Sequence, residues 1–296
     1  MTQPSSTESI NQATQNLDLL EPQDLVSTFI EDQFNAVQAV KNAAPQIARA
    51  VELAVARLEL GGRLIYAGAG TSGRLAFLDA AELIPTFSWS KSRALVAMAG
   101  GSQAVFNAVE GAEDNFDQGR SDVLAFSPNQ NDVVIAIAAS GTTPYALGAL
   151  DAAKSVGALR IGVVNNPNAP ILEQAEVGIL LETGAEVISG STRLKAGTAQ
   201  KIALNTFSSS VMVRLHKVYG NLMVDLQATN IKLVKRAIRL TMLATNKTEI
   251  QATQTLESCG YHIKTAIVML ERNLNFEDAK TLLEQHQGNV RACLKT

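Results

Sequence analysis

Two short stretches carry most of the chemistry that can be read from this chain. "GAGTSGR" (Gly68–Arg74) and "AASGTTPY" (Ala138–Tyr145) each follow an apolar run, and each mixes glycine with hydroxyl side chains. Glycine lets the backbone approach a ligand, and a helix that starts there aims its first N–H groups outward. Thr71, Ser72, Ser140, Thr142 and Thr143 add hydroxyl donors, which together is chemistry for a phosphate. Gly68, Gly70 and Gly73 formally satisfy the dinucleotide fingerprint. That fingerprint also needs an acid at the end of the second strand to grip a ribose, and "VAMAGGSQA" there has none. No lysine follows in the GxxxxGK[ST] spacing, which excludes a nucleoside triphosphate loop. The plainer reading of the first stretch is a tight turn with Ser72 as a helix cap. A second loop of the same kind tips the balance toward phosphate. In a parallel sheet both loops open on one edge, so they could converge on one phosphorylated small molecule, with a sugar the first choice.

The acidic candidates are few. Asp79 and Glu82 lie in "LDAAELIPTF", and Glu110, Glu113 and Asp114 lie in "VEGAEDN". Two carboxylates in different environments can divide the roles of acid and base beside a carbonyl. A solvated helix end for Glu82 and a solvated loop for Glu113 are equally good readings from the residues alone. On one straight helix, Ser72 and Glu82 stand about 15 Å apart. Either that helix ends early, or Glu82 serves a ligand bound mainly by another subunit. A third segment, "GAEVISGSTRLKAGTAQK" (Gly184–Lys201), gathers Glu186, Ser191, Arg193 and Lys195. It reads as a helix start capped by Ser191 or Thr192, or as a segment that holds ligand and partner subunit. His216, His262 and His286 have no company at metal-ligand spacing, so no metal is expected.

These residues need a scaffold. Five apolar runs, at 63–68, 94–100, 132–138, 159–164 and 176–181, are separated mostly by stretches able to form helices. The pattern predicts an α/β fold, a parallel five-stranded sheet sandwiched by helices. Helical periodicity runs from Leu25 to Leu60, and again from Arg193 to Leu243 with a break at Tyr219-Gly220-Asn221. A helix is expected around Gln103–Val109, followed by an exposed segment. Residues 1–20 read as a flexible arm, 21–248 as the sheet domain with its flanking helices, and 249–296 as a small three-helix subdomain with Asn275 as a cap.

The 296 residues carry a formal charge of -3 and are 46% hydrophobic, enough for a sizeable core and no electrostatic case for nucleic acid. Cys259 and Cys293 form no disulfide framework, and the polar N-terminus lacks an apolar signal region, so a cytoplasmic protein with no membrane span is expected.

The segments "GAGTSGRLAFLDAAELIPTF", "GAED", "ISGSTRLKAGTAQK" and "KVYGNLMVD" resemble the N-acetylmuramic acid 6-phosphate etherases, over roughly residues 13–296. The resemblance implies a sugar isomerase (SIS) phosphosugar-binding domain and a lyase-type reaction without cofactor. It implies cleavage of the D-lactyl ether at carbon 3 of a phosphorylated amino sugar, in the setting of peptidoglycan recycling. Glu82 and Glu113 fall on the family's two essential glutamates, Glu82 as the acid that assists lactate departure and Glu113 as the base at carbon 2. Thr71, Ser72, Ser140 and Thr143 would hold the phosphate, with Ser191, Arg193 and Lys195 reaching the sugar or the phosphate. Many members have arginine where this chain has Thr142, which removes one cation near the phosphate. A homodimer is implied, with the site close to its interface. A phosphosugar-binding sensor without turnover and a phosphosugar isomerase are the alternatives. The second of these would leave the "ISGSTRLKAG" segment without a purpose.

Overall fold

The structure is a computed structural model that describes residues 6–295. Two helices open the fold, α1 (Pro22–Asn42) and α2 (Ala44–Glu59). The single periodic stretch splits here because Pro45, in the first turn of α2, lacks the N–H that would continue the ladder. The strands follow the apolar runs: β1 (Leu64–Gly68), β2 (Ala94–Met98), β3 (Val133–Ala138), β4 (Leu159–Val164) and β5 (Val177–Leu180). Between them lie α3 (Gly70–Phe87), α4 (Phe116–Ala125), α5 (Pro144–Ser155) and α6 (Pro170–Gln174). Strand order is β2-β1-β3-β4-β5, with every neighbouring pair parallel. β1 and β3 are buried at every residue, as strands covered on both faces must be.

Helix packing relies on small residues. Ala149, Ala152 and Ala153 of α5 are fully buried with Val123 of α4 and Val134 of β3. Gly119 and Gly148 let α4 and α5 touch backbone to backbone. A Cβ on Gly119 would lie 2.0 Å from the Tyr145 carbonyl oxygen, and one on Gly148 would lie 2.0 Å from that of Phe116. In place of the helix expected around Gln103–Val109, the chain makes a 3-10 turn at Gly101–Val105. The exposed segment after it contains a second turn (Ala112–Asp114) and then α4, which Asn115 caps by accepting from the Gln118 N–H.

After β5 come α7 (Lys195–Arg214) and α8 (Ile231–Thr245), then α9 (Glu249–Ser258), α10 (Ile263–Arg272), α11 (Phe276–Gln285) and α12 (Val290–Lys295). The chain divides into two compact units, one running to Ala81 and resuming at Lys91–Ser209, the other made of Glu82–Ser90 and Ser210–Thr296. The second unit is larger than the three-helix subdomain expected at 249–296. Its core joins Ala237 of α8, Leu256 of α9, Ile263, Ala266, Ile267 and Val268 of α10, Leu283 of α11 and Cys293 of α12. Asn275 caps α11 as its position predicts, accepting from the Asp278 N–H.

Within the stretch 1–20, expected as an arm, residues 6–20 can be described. Residues 1–5 lie outside the described residues. From Ser6 the chain forms three 3-10 turns seated by side-chain hydrogen bonds. The Asn166 amide donates to Thr7 Oγ1 (2.8 Å) and accepts from Ser6 Oγ (2.8 Å), and Thr14 Oγ1 donates to the Val187 carbonyl (2.9 Å). Polar pairing with residues far along the chain seats the segment, so apolar periodicity gives no sign of it.

Asp132 locks the amino edges of β1 and β3 together. Its Oδ1 accepts from Arg63 N (2.8 Å) and Nε (3.1 Å), and its Oδ2 from Arg63 Nη2 (2.6 Å) and Asn129 N (2.9 Å), with the side chain fully buried. Burial alone would raise the carboxyl pKa, but hydrogen bonds from Arg63 and Asn129 and the guanidinium charge hold it below the usual range. A depressed folded pKa contributes stability above the unfolded value, and that contribution is lost as pH falls through the folded value. Asp132→Asn should therefore cost about 2–3 kcal/mol at neutral pH and far less near pH 2, read as denaturant midpoints at the two pH values.

Candidate functional site

β1 and β3 are neighbours, with Gly68 opposite Ile137. The chain leaves β1 toward β2 on one side, while β3 starts the other half of the sheet, so this is the switch point where open parallel sheets bind ligands. The two hydroxyl-rich turns thus emerge side by side at the carboxyl edge. Gly141 holds a left-handed φ of 72°, and a Cβ there would sit 2.3 Å from that of Ala169. The turn it makes brings Ser140 Oγ to 3.4 Å from Thr143 Oγ1 and lets it accept from the Thr142 N–H at 3.2 Å. Thr142 itself is exposed. Thr143 stands in the cap position of α5 yet makes no side-chain cap bond, and Pro144 follows, so first-turn N–H groups of α5 are free for an anion. On the first turn, Thr71 is half-buried and Ser72 is buried.

The start of α7 crosses this place. A Cβ on Gly197 would meet the Thr71 methyl at 3.3 Å, and Ser72 Oγ donates to Gln200 Oε1 at 2.8 Å. Gln200 Nε2 donates to Asn165 Oδ1 (2.9 Å), and Asn165 Nδ2 donates to the Leu181 carbonyl (2.9 Å). A carbonyl only accepts, so the whole relay has one direction, and Ser72 must give its single proton to Gln200. Sequence reasoning missed both Gln200 and Asn165. Only the spacing of Gln200 within "KAGTAQK", about one turn beyond Gly197, pointed toward this face.

The N-terminus of α7 is already occupied. The Glu186 carboxylate, fully buried, accepts from Lys195 N (3.0 Å) and Ala196 N (2.9 Å). Burial raises its pKa, opposed by those two N–H groups and the Lys195 charge. Of the helix starts at this edge, that of α5 carries no side-chain cap bond and that of α7 is closed by Glu186. Lys195 was expected to reach sugar or phosphate. Here its ammonium pairs with Asp32 of α1 at 2.7 Å, the two side chains being 4% and 11% exposed. Ser191 and Arg193 precede α7, Ser191 half-buried and Arg193 exposed.

Of the acids, Asp79 is a buried acceptor, taking hydrogen bonds from Tyr66 Oη (2.9 Å), Asn205 Nδ2 (2.6 Å) and Ser208 Oγ (3.0 Å). Burial raises its pKa against those donors. Glu113 is exposed in the turn after β2, the strand beside β1. Glu82 is exposed on α3, which runs unbroken from Gly70 to Phe87, so the expected alternative of an early helix end does not hold. Along the helix axis Glu82 lies about 15 Å from Ser72.

Residues 46–154 match the N-terminal SIS domain of glucokinase regulatory protein, and residues 120–210 match the SIS domain. A Deinococcus radiodurans protein named N-acetylmuramic acid 6-phosphate etherase is 53% identical over 294 residues, covering 99% of this chain and 96% of its own. The chain belongs to the N-acetylmuramic acid 6-phosphate etherase family. Another protein of that name, from Aliivibrio fischeri (strain MJ11), is 44% identical over 288 residues, 97% of this chain and 96% of its own. Among solved structures, a phosphoheptose isomerase from Francisella tularensis superposes with a TM-score of 0.51 at 20% identity, over 66% of this chain and all of that one, which speaks to fold alone.

The Lys195–Asp32 pair separates a structural lysine from a ligand-binding one. Lys195→Met strands a buried carboxylate and should cost about 3 kcal/mol. Lys195→Met with Asp32→Leu should recover most of it, measured by urea denaturation.

Proposed function

We propose that the protein cleaves the D-lactyl ether of N-acetylmuramic acid 6-phosphate, giving N-acetylglucosamine 6-phosphate and D-lactate. The observation that carries this reading is full-length family membership at 53% identity, joined to the presence of both glutamates of the DAAE and GAED segments. The adjacent turns after β1 and β3 support a phosphosugar substrate. Thr71, Ser140 and Thr143, with the N–H groups opening α3 and α5, are suited to the phosphate, and Ser72 joins them when its proton leaves Gln200. Ser191 and Arg193 are assigned to the sugar. Lys195 is assigned an indirect part, through Asp32.

The reaction begins at the open-chain aldehyde, which acidifies the proton on carbon 2. Glu113 removes that proton and an enolate forms. Glu82 then protonates the lactate oxygen as it leaves carbon 3, and water adds back at the same carbon. One acid–base pair serves both halves, since substrate and product differ only in lactyl or hydroxyl at carbon 3. No cofactor enters. Purified protein should release D-lactate from the substrate, detected by coupling to D-lactate dehydrogenase. No release above an enzyme-free blank, with the fold intact, favours the sensor reading.

We assign the protein to the cytoplasm as a homodimer. Cys259 and Cys293, both buried thiols, suit a reducing compartment. No described helix is long and apolar enough to cross a membrane. Val26, Ile30, Phe34 and Val37 lie on one face of α1 and are 57%, 57%, 64% and 54% exposed, an apolar stripe suited to a second copy. The unbroken α3 favours the remaining alternative from the sequence, in which Glu82 serves a ligand bound mainly by the other subunit. Mixing inactive Glu82→Gln and Glu113→Gln proteins, after exchange of subunits, should then restore about one quarter of wild-type activity, since half of the dimers are mixed and each holds one complete site. Activity that stays at the level of the separate variants places both glutamates of a site on one chain.

A further inference from the structure

The segment "KVYGNLMVD" (Lys217–Asp225) is the one distinctive motif that the phosphate site leaves unused. It sits between α7 and α8, in the second unit. Tyr219 and Leu222 exchange backbone hydrogen bonds of 3.1 Å and 2.9 Å across Gly220-Asn221, folding the segment back on itself. That reversal brings its two ends together, and Lys217 Nζ lies 2.9 Å from Asp225 Oδ2. The same oxygen lies 2.7 Å from Lys264 Nζ, at the start of α10. The three side chains are 23%, 20% and 12% exposed, so solvent screens them only partly. Val224 and Leu226, on either side of Asp225, are buried in the helical core of the same unit.

Asp225 has a third contact, and it leads to α3. Its backbone carbonyl accepts a hydrogen bond from the Ser88 hydroxyl. Ser88 is the first residue past α3 and takes a left-handed φ of 48°, so the helix ends at a fixed point. Leu83, Phe87 and Trp89 around it are buried, and the Trp89 N–H reaches back to the Leu83 carbonyl. Glu82 stands six residues before Ser88 on this anchored end, in the same compact unit as the whole motif.

We propose that Asp225, held between Lys217 and Lys264 and bonded to Ser88, is a positioning residue that fixes the end of α3 and so aims the Glu82 carboxyl at the departing oxygen. The proposal rests on the etherase reading and gives the C-terminal helices a part in the reaction: they anchor one acid. Two ammonium groups on one carboxylate leave the cluster with a surplus positive charge. Loss of the Asp225 charge therefore pushes Lys217 and Lys264 apart and loosens the segment whose carbonyl holds Ser88.

Because Glu113 lies in the other unit, the two half-reactions can be read separately. The test uses the full-length protein with Ser88→Ala and Asp225→Asn, measuring D-lactate release from N-acetylmuramic acid 6-phosphate. Solvent deuterium entering carbon 2 of N-acetylglucosamine 6-phosphate, a step assigned to Glu113 alone, is measured beside it. Expected is a fall of about tenfold or more in kcat for release, with KM and carbon 2 exchange within about twofold of wild type. Release and exchange that fall by one common factor, or release that stays at the wild-type level, overturn the clamp. Should Asp225→Asn fail to fold, Ser88→Ala decides, since it removes a single hydroxyl. A wild-type protein that exchanges carbon 2 and releases no lactate, or does neither, overturns the etherase reading and the clamp's role with it.

Discussion

The pairing of β1 with β3 is the constraint on which the rest of the site depends. Two parallel strands in register end at the same level, about 4.8 Å apart. With Gly68 opposite Ile137, the turns that follow begin side by side. The Asp132–Arg63 lock at the opposite edge keeps that level fixed. A slip of one residue would hand every side chain of these strands, buried on both faces, to the opposite helix layer, where it does not fit, so the register has no cheap alternative. The hydroxyls of Thr71, Ser140 and Thr143 become a group only through this pairing, because about seventy residues of chain separate the first from the others.

Much of this was legible in the chain. Strands buried on both faces write themselves as unbroken apolar runs, and all five were visible, with edges displaced by a residue or two. The glycine turns were visible because their composition is local. What stayed hidden was set by pairings across long distances. Gln200 and Asn165 are 35 residues apart and meet over Ser72, 128 residues from Gln200. Thr7 is buried by an asparagine 159 positions away. α4 carries Asp117, Gln118, Arg120 and Asp122, and its polarity hides a helix fixed mainly by the glycine contacts with α5. Lys195 was legible as a cation in a chemically rich segment. That it faces an aspartate of α1 was not.

The starts of α5 and α7 show how one fold treats its helix termini differently. α5 begins with Thr143 and Pro144 and has no side-chain cap bond. α7, which must be buried to carry Gln200 and Asn205 inward, is closed by Glu186 from the segment just before it. A buried terminus without a partner would leave its N–H groups unsatisfied, so the same carboxylate that stabilises the helix also removes it from competition for an anion.

The Ser72 hydroxyl has one proton, and the relay through Gln200 and Asn165 ends on a carbonyl that cannot return it. A phosphoryl oxygen that takes this proton leaves Gln200 Oε1 buried without a donor, at a cost of about 1–3 kcal/mol. Ser72 can therefore turn to an outside acceptor only by giving up this internal bond. A glutamine buried beside the sheet thus commits the Ser72 proton inward, so that any outside acceptor competes with an internal one.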